Sequence, residues 1–232
     1  MNSTFANGIK IYSFKNRREL IHFAAKEKKC LIAVNAEKIL NATDQLRELI
    51  NKNIGYADGI GAVWSLKRKG FKNTIKIPGC ELWYDITKFF YKNKSFYFVG
   101  AQKHVIEKTV IKLKSTFPEI NILGYRDGYI KSKREKEVLI IEITSKKPDI
   151  VFVAMGSPKQ ELLIQEMQKH HEAIYQGLGG SFDVYTGNVK RAPSWWVKNN
   201  LEWAYRLIKE PIRIKRQFKL LIFFFYLIIN RL

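Results

Sequence analysis

Short apolar runs alternate along the chain with longer segments that carry a helical pattern of apolar residues. The runs lie at residues 31–36, 95–100, 120–125, 149–156 and 173–180, and the helical patterns include residues 104–117 and 133–147. Strands that alternate with helices predict an α/β fold, Rossmann-like, with a mostly parallel sheet flanked by helices. Several runs end in Gly or Asn, and loops at the carboxyl ends of parallel strands build ligand sites.

The longest apolar run, residues 220–229 (LLIFFFYLII), lies near the C-terminus. A ten-residue helix is about 15 Å long, which is too short for a hydrocarbon core about 30 Å thick. It is either a C-terminal helix packed on the domain or an interfacial membrane segment. Residues 205–232 carry a net charge of +6, and this combination favours the interfacial interpretation. We therefore predict a catalytic domain over residues 1–194 and a basic, hydrophobic helical appendage over residues 195–232.

The net charge of the chain limits the kinds of molecule that it is expected to bind. The 232 residues carry a formal net charge of +20, which indicates nucleic acid, an anionic membrane surface or a phosphorylated substrate. No RNA- or DNA-binding motif is present, so a nucleic-acid-binding protein is the minor alternative. Two cysteines exclude a disulfide scaffold, and the N-terminal residues do not resemble a signal peptide, so a cytoplasmic location is expected. Without a P-loop, zinc spacing or Asp-x-Asp, neither a metal nor a cofactor is expected.

Two polar residues follow apolar segments in the first third of the chain. Asn35 offers an amide donor and acceptor to a ligand, or it caps the following helix. Asp58, in YADGIG, lies next to glycines that allow close approach of a ligand, or it too caps a helix. The stretch GIGAVW lacks the third glycine of a dinucleotide fingerprint, because Trp64 occupies that position.

The stretch MGSPKQE, residues 155–161, begins at the end of the run at residues 149–156 and indicates a helix start. Ser157 fits as the N-cap, Pro158 as the first helical residue and Gln160 as the partner in a capping box. Such a start, with Lys159 beside it, suits a phosphate group, although it is equally explained as a well-capped helix.

A second glycine-containing stretch, GLGGSFD at residues 177–183, begins within the run at residues 173–180. Gly179 and Gly180 would let the backbone approach a ligand, and Asp183 could accept hydrogen bonds from a ribose or a base. A turn that requires a positive φ explains the glycines as well.

Taken together, the motifs resemble the WecG/TagA/CpsF glycosyltransferase family. The matching stretches, in family order, are VNAEKIL, YADGIGAVW, IPGCELW, FYFVGAQ, RDGYI, VAMGSPKQE, GLGGSFDVYTGNVKRAP and LEWAYRLIKEPIRIKRQ. Within the family they look closest to the branch that transfers N-acetyl-D-mannosaminuronic acid in enterobacterial common antigen synthesis. The teichoic-acid branch usually carries Thr where Ala33 stands and Arg where Lys76 stands.

The resemblance implies an inverting transfer of this sugar from a UDP-sugar donor to an undecaprenyl-diphosphate-linked acceptor, N-acetylglucosamine, at the cytoplasmic face of the bacterial inner membrane. Another hexosyl donor, such as UDP-N-acetylmannosamine, is the same-family alternative. By family match Asp58 is the catalytic base. The implied donor-sugar and nucleotide ligands are Asn35, Lys76, Tyr129, Ser157, Lys159, Gln160, Gly179, Gly180, Asp183 and Arg191. Contacts with the membrane and with the lipid diphosphate are assigned to Arg206, Arg213, Lys215 and Arg216.

Overall fold

A twisted eight-stranded sheet forms the centre of the molecule. The structure, a computed structural model, describes residues 1–209 together with Phe223, Phe225 and Leu227. The strands are β1 (Ser3–Ala6), β2 (Ile9–Tyr12), β3 (Cys30–Val34), β4 (Ile54–Ala57), β5 (Ser95–Gly100), β6 (Asn121–Arg126), β7 (Ile150–Ala154) and β8 (Ile174–Gly177). Their order is β1-β2-β4-β3-β8-β7-β5-β6, and only the β1–β2 pair among them is antiparallel. The predicted α/β fold with a mostly parallel sheet is confirmed.

Helices cover both faces of this sheet. They are α1 (Arg17–Glu27), α2 (Ala36–Asn41), α3 (Asp44–Lys52), α4 (Ile60–Arg68), α5 (Gly79–Phe90), α6 (Lys103–Thr116), α7 (Lys133–Lys146), α8 (Lys159–Gln168), α9 (Ser181–Thr186), α10 (Ser194–Lys198) and α11 (Glu202–Lys209). Helices α2, α3, α4, α7 and α8 enclose one buried apolar cluster, whereas α1, α5, α6 and α9 enclose the other. Val151 and Val153 of β7 point into the first cluster, and Phe152 points into the second. Burial on both faces explains why the central strands are nearly continuous apolar runs.

Two of the three described residues of the C-terminal apolar run pack on the domain. Phe223 is fully buried, and a Cβ on Gly61 of α4 would lie 2.9 Å from its ring. Leu227 packs partly against the same cluster, whereas Phe225 is 59% exposed. The packed-helix interpretation therefore holds for Phe223 and Leu227, while Phe225 faces outward. Over the described residues, no helix combines the length and apolarity that crossing a membrane requires.

Of the four tail cations assigned to the membrane, Arg213, Lys215 and Arg216 lie outside the described residues. For Arg206, the structure describes only the backbone position in α11. The boundary between residues 194 and 195, and the membrane role of these four cations, stay predictions.

Candidate active site

The two polar residues singled out in the first third of the chain lie side by side. Val34 and Ala57 are register partners on β3 and β4, and Asn35 and Asp58 are the next residues at the carboxyl edge. A Cβ on Gly59 would lie 3.4 Å from the Asn35 Cβ, an ordinary van der Waals distance, so residue 59 lies directly beside Asn35. The structure thus brings Asp58 and Asn35 to one position on the sheet edge.

Asn35 is the N-cap of α2. Its side chain accepts a hydrogen bond from the Lys38 N–H at 2.9 Å, which confirms the capping interpretation. This bond uses one of the two lone pairs of Oδ1, so a donor sugar could contact Asn35 through the other lone pair or through the Nδ2 amide.

The carboxylate of Asp58 is half-buried and oriented by the backbone. Its Oδ1 accepts a hydrogen bond from the N–H of Gly79, the first residue of α5, at 2.7 Å. This contact directs the carboxylate toward the start of α5 and fixes it at the edge of the sheet. A fixed and partly solvated carboxylate is suited to accept a proton from a bound hydroxyl group.

One buried side chain holds the two glycine-containing loops together. The Oε1 atom of Gln160 accepts from the Gly156 N–H at 3.2 Å and from the Gly179 N–H at 2.9 Å, which joins the loops after β7 and β8. A Cβ on Gly177 would lie 2.5 Å from the Gln160 Nε2, so a larger residue there would displace the Gln160 amide. Gln160 is only 5% exposed. It shapes the loops, and its predicted role as a ligand is not evident from these contacts.

The predicted N-cap role of Ser157 is wrong. Helix α8 begins at Lys159, and its start has no side-chain capping bond. The Gln160 amide bonds to Gly156 and Gly179 instead, so the capping box does not form around Ser157. Ser157 and Lys159 are both exposed, which leaves the hydroxyl and the ammonium group accessible at the helix start.

The loop after β8 combines a constrained turn with an open surface. Gly179 has φ +57°, a left-handed conformation, so the turn explanation holds for this glycine. At Gly179 and Gly180 an added Cβ would meet no atom within 4 Å, so the surface beside both is open. Asp183 follows in the first turn of α9 and is half-buried.

Tyr129 lies in the loop after β6, the strand at the far edge of the sheet. The Gly128 N–H donates to the Ala101 carbonyl at 2.9 Å, and the Tyr129 N–H donates to the Asp127 Oδ1 at 2.8 Å. The ring is 56% exposed. Three strands, β8, β7 and β5, separate β6 from β3, so the structure does not bring Tyr129 next to Asn35 and Asp58.

Two of the predicted phosphate- or sugar-binding cations have protein partners. Arg191 bonds to Glu81 at 2.6 Å and lies 3.8 Å from Glu202 of α11. Arg17 also forms an ion pair with Glu81. Burial alone would raise the pKa of Glu81, but the hydrogen bonds from Arg191 and Arg17 hold that pKa below its ordinary value. These contacts tie the segment before α10 to helices α1 and α5.

The second of these cations, Lys76, reaches the C-terminal helices. Its Nζ lies 2.5 Å from the Oδ1 of Asn200, in the turn between α10 and α11. A role in donor binding for either cation stays a prediction.

A buried ion pair that the sequence did not single out links the two halves of the site. Lys38 of α2 and Glu161 of α8 are 2.8 Å apart, and their side chains are 15% and 2% exposed. The pair connects the helix capped by Asn35 to the helix that carries Gln160. Lys38 lies in the NAEKIL motif and Glu161 in the MGSPKQE motif, and this position within the motifs is the signal by which the sequence could have identified them.

We expect Glu161→Gln to lower the free energy of unfolding by about 3–5 kcal/mol, because it leaves the Lys38 ammonium group buried without its counter-charge. Chemical denaturation of the purified protein measures this change. The matched control is the double variant Lys38→Met/Glu161→Leu, which removes both charges and should lose less of the free energy of unfolding. Equal losses in the two variants would contradict the assignment of the effect to the unpaired charge.

The arrangement as a whole offers a carboxylate beside an amide, two open glycine loops and a helix start with an exposed Lys159. Among residues 1–209, no cluster of three or more His, Cys, Asp or Glu is placed to hold a metal ion. The model of the glycosyl transferase WecG/TagA/CpsF family matches residues 6–232. The chain therefore belongs to this family and is a glycosyltransferase, with a nucleotide-sugar donor and a glycan acceptor.

Proposed function

We propose that the enzyme transfers N-acetyl-D-mannosaminuronic acid from its UDP donor to undecaprenyl-diphosphate-linked N-acetylglucosamine, a step of enterobacterial common antigen synthesis. The observation that carries the chemistry is the position of the Asp58 carboxylate beside Asn35 at the carboxyl edge of β4 and β3. The choice of sugar is supported by the stretches NAEKIL, YADGI, VAMGSPKQE, DVYTGNVKRAP and PIRIKRQ, which resemble the uronic-acid branch.

Asp58 would act as the general base. The acceptor hydroxyl oxygen attacks the anomeric carbon and forms the new glycosidic bond while its proton passes to the Asp58 carboxylate. The bond from that carbon to the diphosphate oxygen breaks at the same time, and UDP leaves with the electron pair. A single displacement of this kind inverts the anomeric configuration. The Gly79 N–H would keep the carboxylate in position for the proton transfer.

The departing diphosphate would lie over the loops after β7 and β8. Lys159 provides an exposed positive charge at the start of α8, and Ser157 provides an exposed hydroxyl group. Gly180 presents open backbone at the start of α9. These groups would stabilise the negative charge that develops on the leaving group. Asp183, in the same loop region, would contact the ribose or the base.

We place the enzyme peripherally on the cytoplasmic face of the bacterial inner membrane. The net charge of +6 over residues 205–232 favours an anionic surface, and the exposed Phe225 provides an apolar contact beside it. A lipid-linked acceptor would then reach the site without leaving the bilayer.

The deciding experiment compares UDP-N-acetylmannosaminuronic acid with UDP-N-acetylmannosamine as donors to a short-chain polyprenyl-diphosphate N-acetylglucosamine. We expect at least a tenfold higher kcat/KM for the uronic acid, since a hydrogen bond to a charged group contributes about 1.5–3 kcal/mol. We propose Lys76 and the exposed Lys190 as the cations that bind the sugar carboxylate, so Lys76→Gln or Lys190→Gln should reduce this preference.

Preference for UDP-N-acetylmannosamine would instead identify the enzyme as an N-acetylmannosaminyl transferase of the same family. Salt-dependent binding of DNA or RNA without UDP binding would contradict the proposed activity altogether.

A further inference from the structure

Three buried residues, Tyr56, Gly79 and Gln176, lie behind the Asp58 carboxylate. We infer that Gln176 and Tyr56 are positioning residues for Asp58, which they reach through the peptide unit of Gly79. This inference rests on the proposed role of Asp58 as the base. Neither side chain belongs to the set of ligands that the family resemblance implied.

The Gly79 residue forms hydrogen bonds on two sides. Its N–H donates to the Asp58 Oδ1 at 2.7 Å, and its carbonyl accepts from the Gln176 Nε2 at 3.2 Å. The same Nε2 donates to the Tyr56 hydroxyl at 3.4 Å. We call Tyr56, Gly79 and Gln176 the Gly79 clamp. A change in the Gln176 amide therefore reaches the carboxylate through one residue.

The clamp is anchored in the buried centre of the sheet. Tyr56 lies on β4 and Gln176 on β8, with β3 between these strands, and both side chains are fully buried. Burial and the nearby Asp58 carboxylate raise the pKa of Tyr56 well above its ordinary value, so the phenol stays neutral. A neutral hydroxyl group does not compete with Asp58 for the acceptor proton.

The clamp leaves no space for a side chain at residue 79. A Cβ there would lie 2.9 Å from the Tyr56 hydroxyl and 3.7 Å from the Asp58 Oδ1. Real Cβ atoms essentially never approach another heavy atom as closely as 2.9 Å. The start of α5 is thus fitted directly against the Tyr56 hydroxyl.

Stability alone does not account for Gln176. Its Oε1 atom is buried and has no hydrogen-bond partner within the described part of the chain. An unsatisfied buried acceptor is costly to a fold, and each such group calls for an explanation. The explanation offered by the contacts is the orientation of Gly79, to which the Gln176 amide nitrogen is committed.

The first test measures kcat, KM and UDP affinity for Tyr56→Phe and Gln176→Met. We expect kcat to fall by about 10- to 100-fold, since small misplacements of a catalytic group cost up to about 10²-fold. The donor KM and the UDP affinity should stay within about twofold of the parent values, because the hydrogen bonds of the clamp lead to Asp58 and not to the loops after β7 and β8.

The matched control is Tyr175→Phe. Tyr175 is also fully buried on β8, but its hydroxyl donates to the His171 carbonyl at 2.9 Å, away from the clamp. Its kcat should be unchanged. Unchanged kcat in both clamp variants, or an equal fall in the control, would overturn the inference.

The second test uses the tight contact at residue 79. Gly79→Ala should lower kcat, and adding Tyr56→Phe should restore it to the level of Tyr56→Phe alone, because the phenylalanine lacks the atom that clashes. Losses that simply multiply in the double variant would contradict the direct contact between the two residues.

A third measurement does not depend on turnover. Hydrogen exchange at the Gly79 amide, followed by NMR, should be faster in Gln176→Met than in the parent, because the Gly79 N–H is held less firmly against Asp58. Unchanged exchange would overturn the clamp while the base assignment stands. Full activity of Asp58→Asn would instead overturn the proposed base, and the positioning role with it.

Discussion

Asp58→Asn is expected to lower turnover by about 100- to 10,000-fold, the usual contribution of a general base, while UDP binding is retained. The asparagine Oδ1 can still accept the hydrogen bond from the Gly79 N–H that Asp58 Oδ1 accepts at 2.7 Å, so the local fold is kept. What is lost is the ability to take the acceptor proton. Single-turnover kinetics with labelled donor, together with calorimetric titration of UDP, measure the two quantities separately.

The matched control for this variant is Asp183→Asn. Asp183 is also a half-buried carboxylate near the carboxyl edge, but it lies in α9 and is assigned to the nucleotide. Its substitution should weaken UDP binding more than it lowers kcat. Turnover of Asp58→Asn within about twofold of the parent would contradict the assignment of the base.

The second large effect is expected on membrane binding. The triple variant Arg213→Gln/Lys215→Gln/Arg216→Gln should reduce binding to anionic vesicles by about 100-fold at low salt, because each cation near an anionic surface contributes about 1 kcal/mol. Substitution is preferable to removal of residues 205–232, since removal would also delete Phe223, which is buried against α4. Co-sedimentation with phosphatidylglycerol vesicles measures the binding.

A control with the same loss of charge is Lys103→Gln/Lys108→Gln/Lys114→Gln on α6, where all three lysines are exposed. Its vesicle binding should change by much less than that of the tail variant. Equal losses would show that net charge, and not the tail, governs association with the membrane.

The central strands were predictable from sequence because a parallel strand that is buried on both faces is a short, almost purely apolar run. The β1–β2 hairpin was not predicted, since each strand has only four residues and β1 buries only its last residue, Ala6. A local signal was present in the turn. Asn7 and Gly8 both have positive φ, and Asn-Gly is the preferred dipeptide for such hairpin turns.

Within the site, Asp58 and Asn35 could be found because each follows the end of a strand, and parallel strand ends share an edge. The role of Gln160 could not be predicted from the sequence, because its hydrogen-bond partners include Gly179, which is 19 residues away in sequence. Gln176 is 97 residues from Gly79. Contacts of this kind depend on the order of strands in the sheet, which a single sequence pattern does not determine.

The fit between Gln160 and Gly177 has a consequence for how this sequence can diverge. With a Cβ at residue 177, the Gln160 amide would be displaced, and the loops after β7 and β8 would lose the oxygen that joins them. The two positions are therefore expected to change together. In related enzymes we expect any side chain at the position of Gly177 to be accompanied by a shorter residue at that of Gln160, and by another means of joining the two loops.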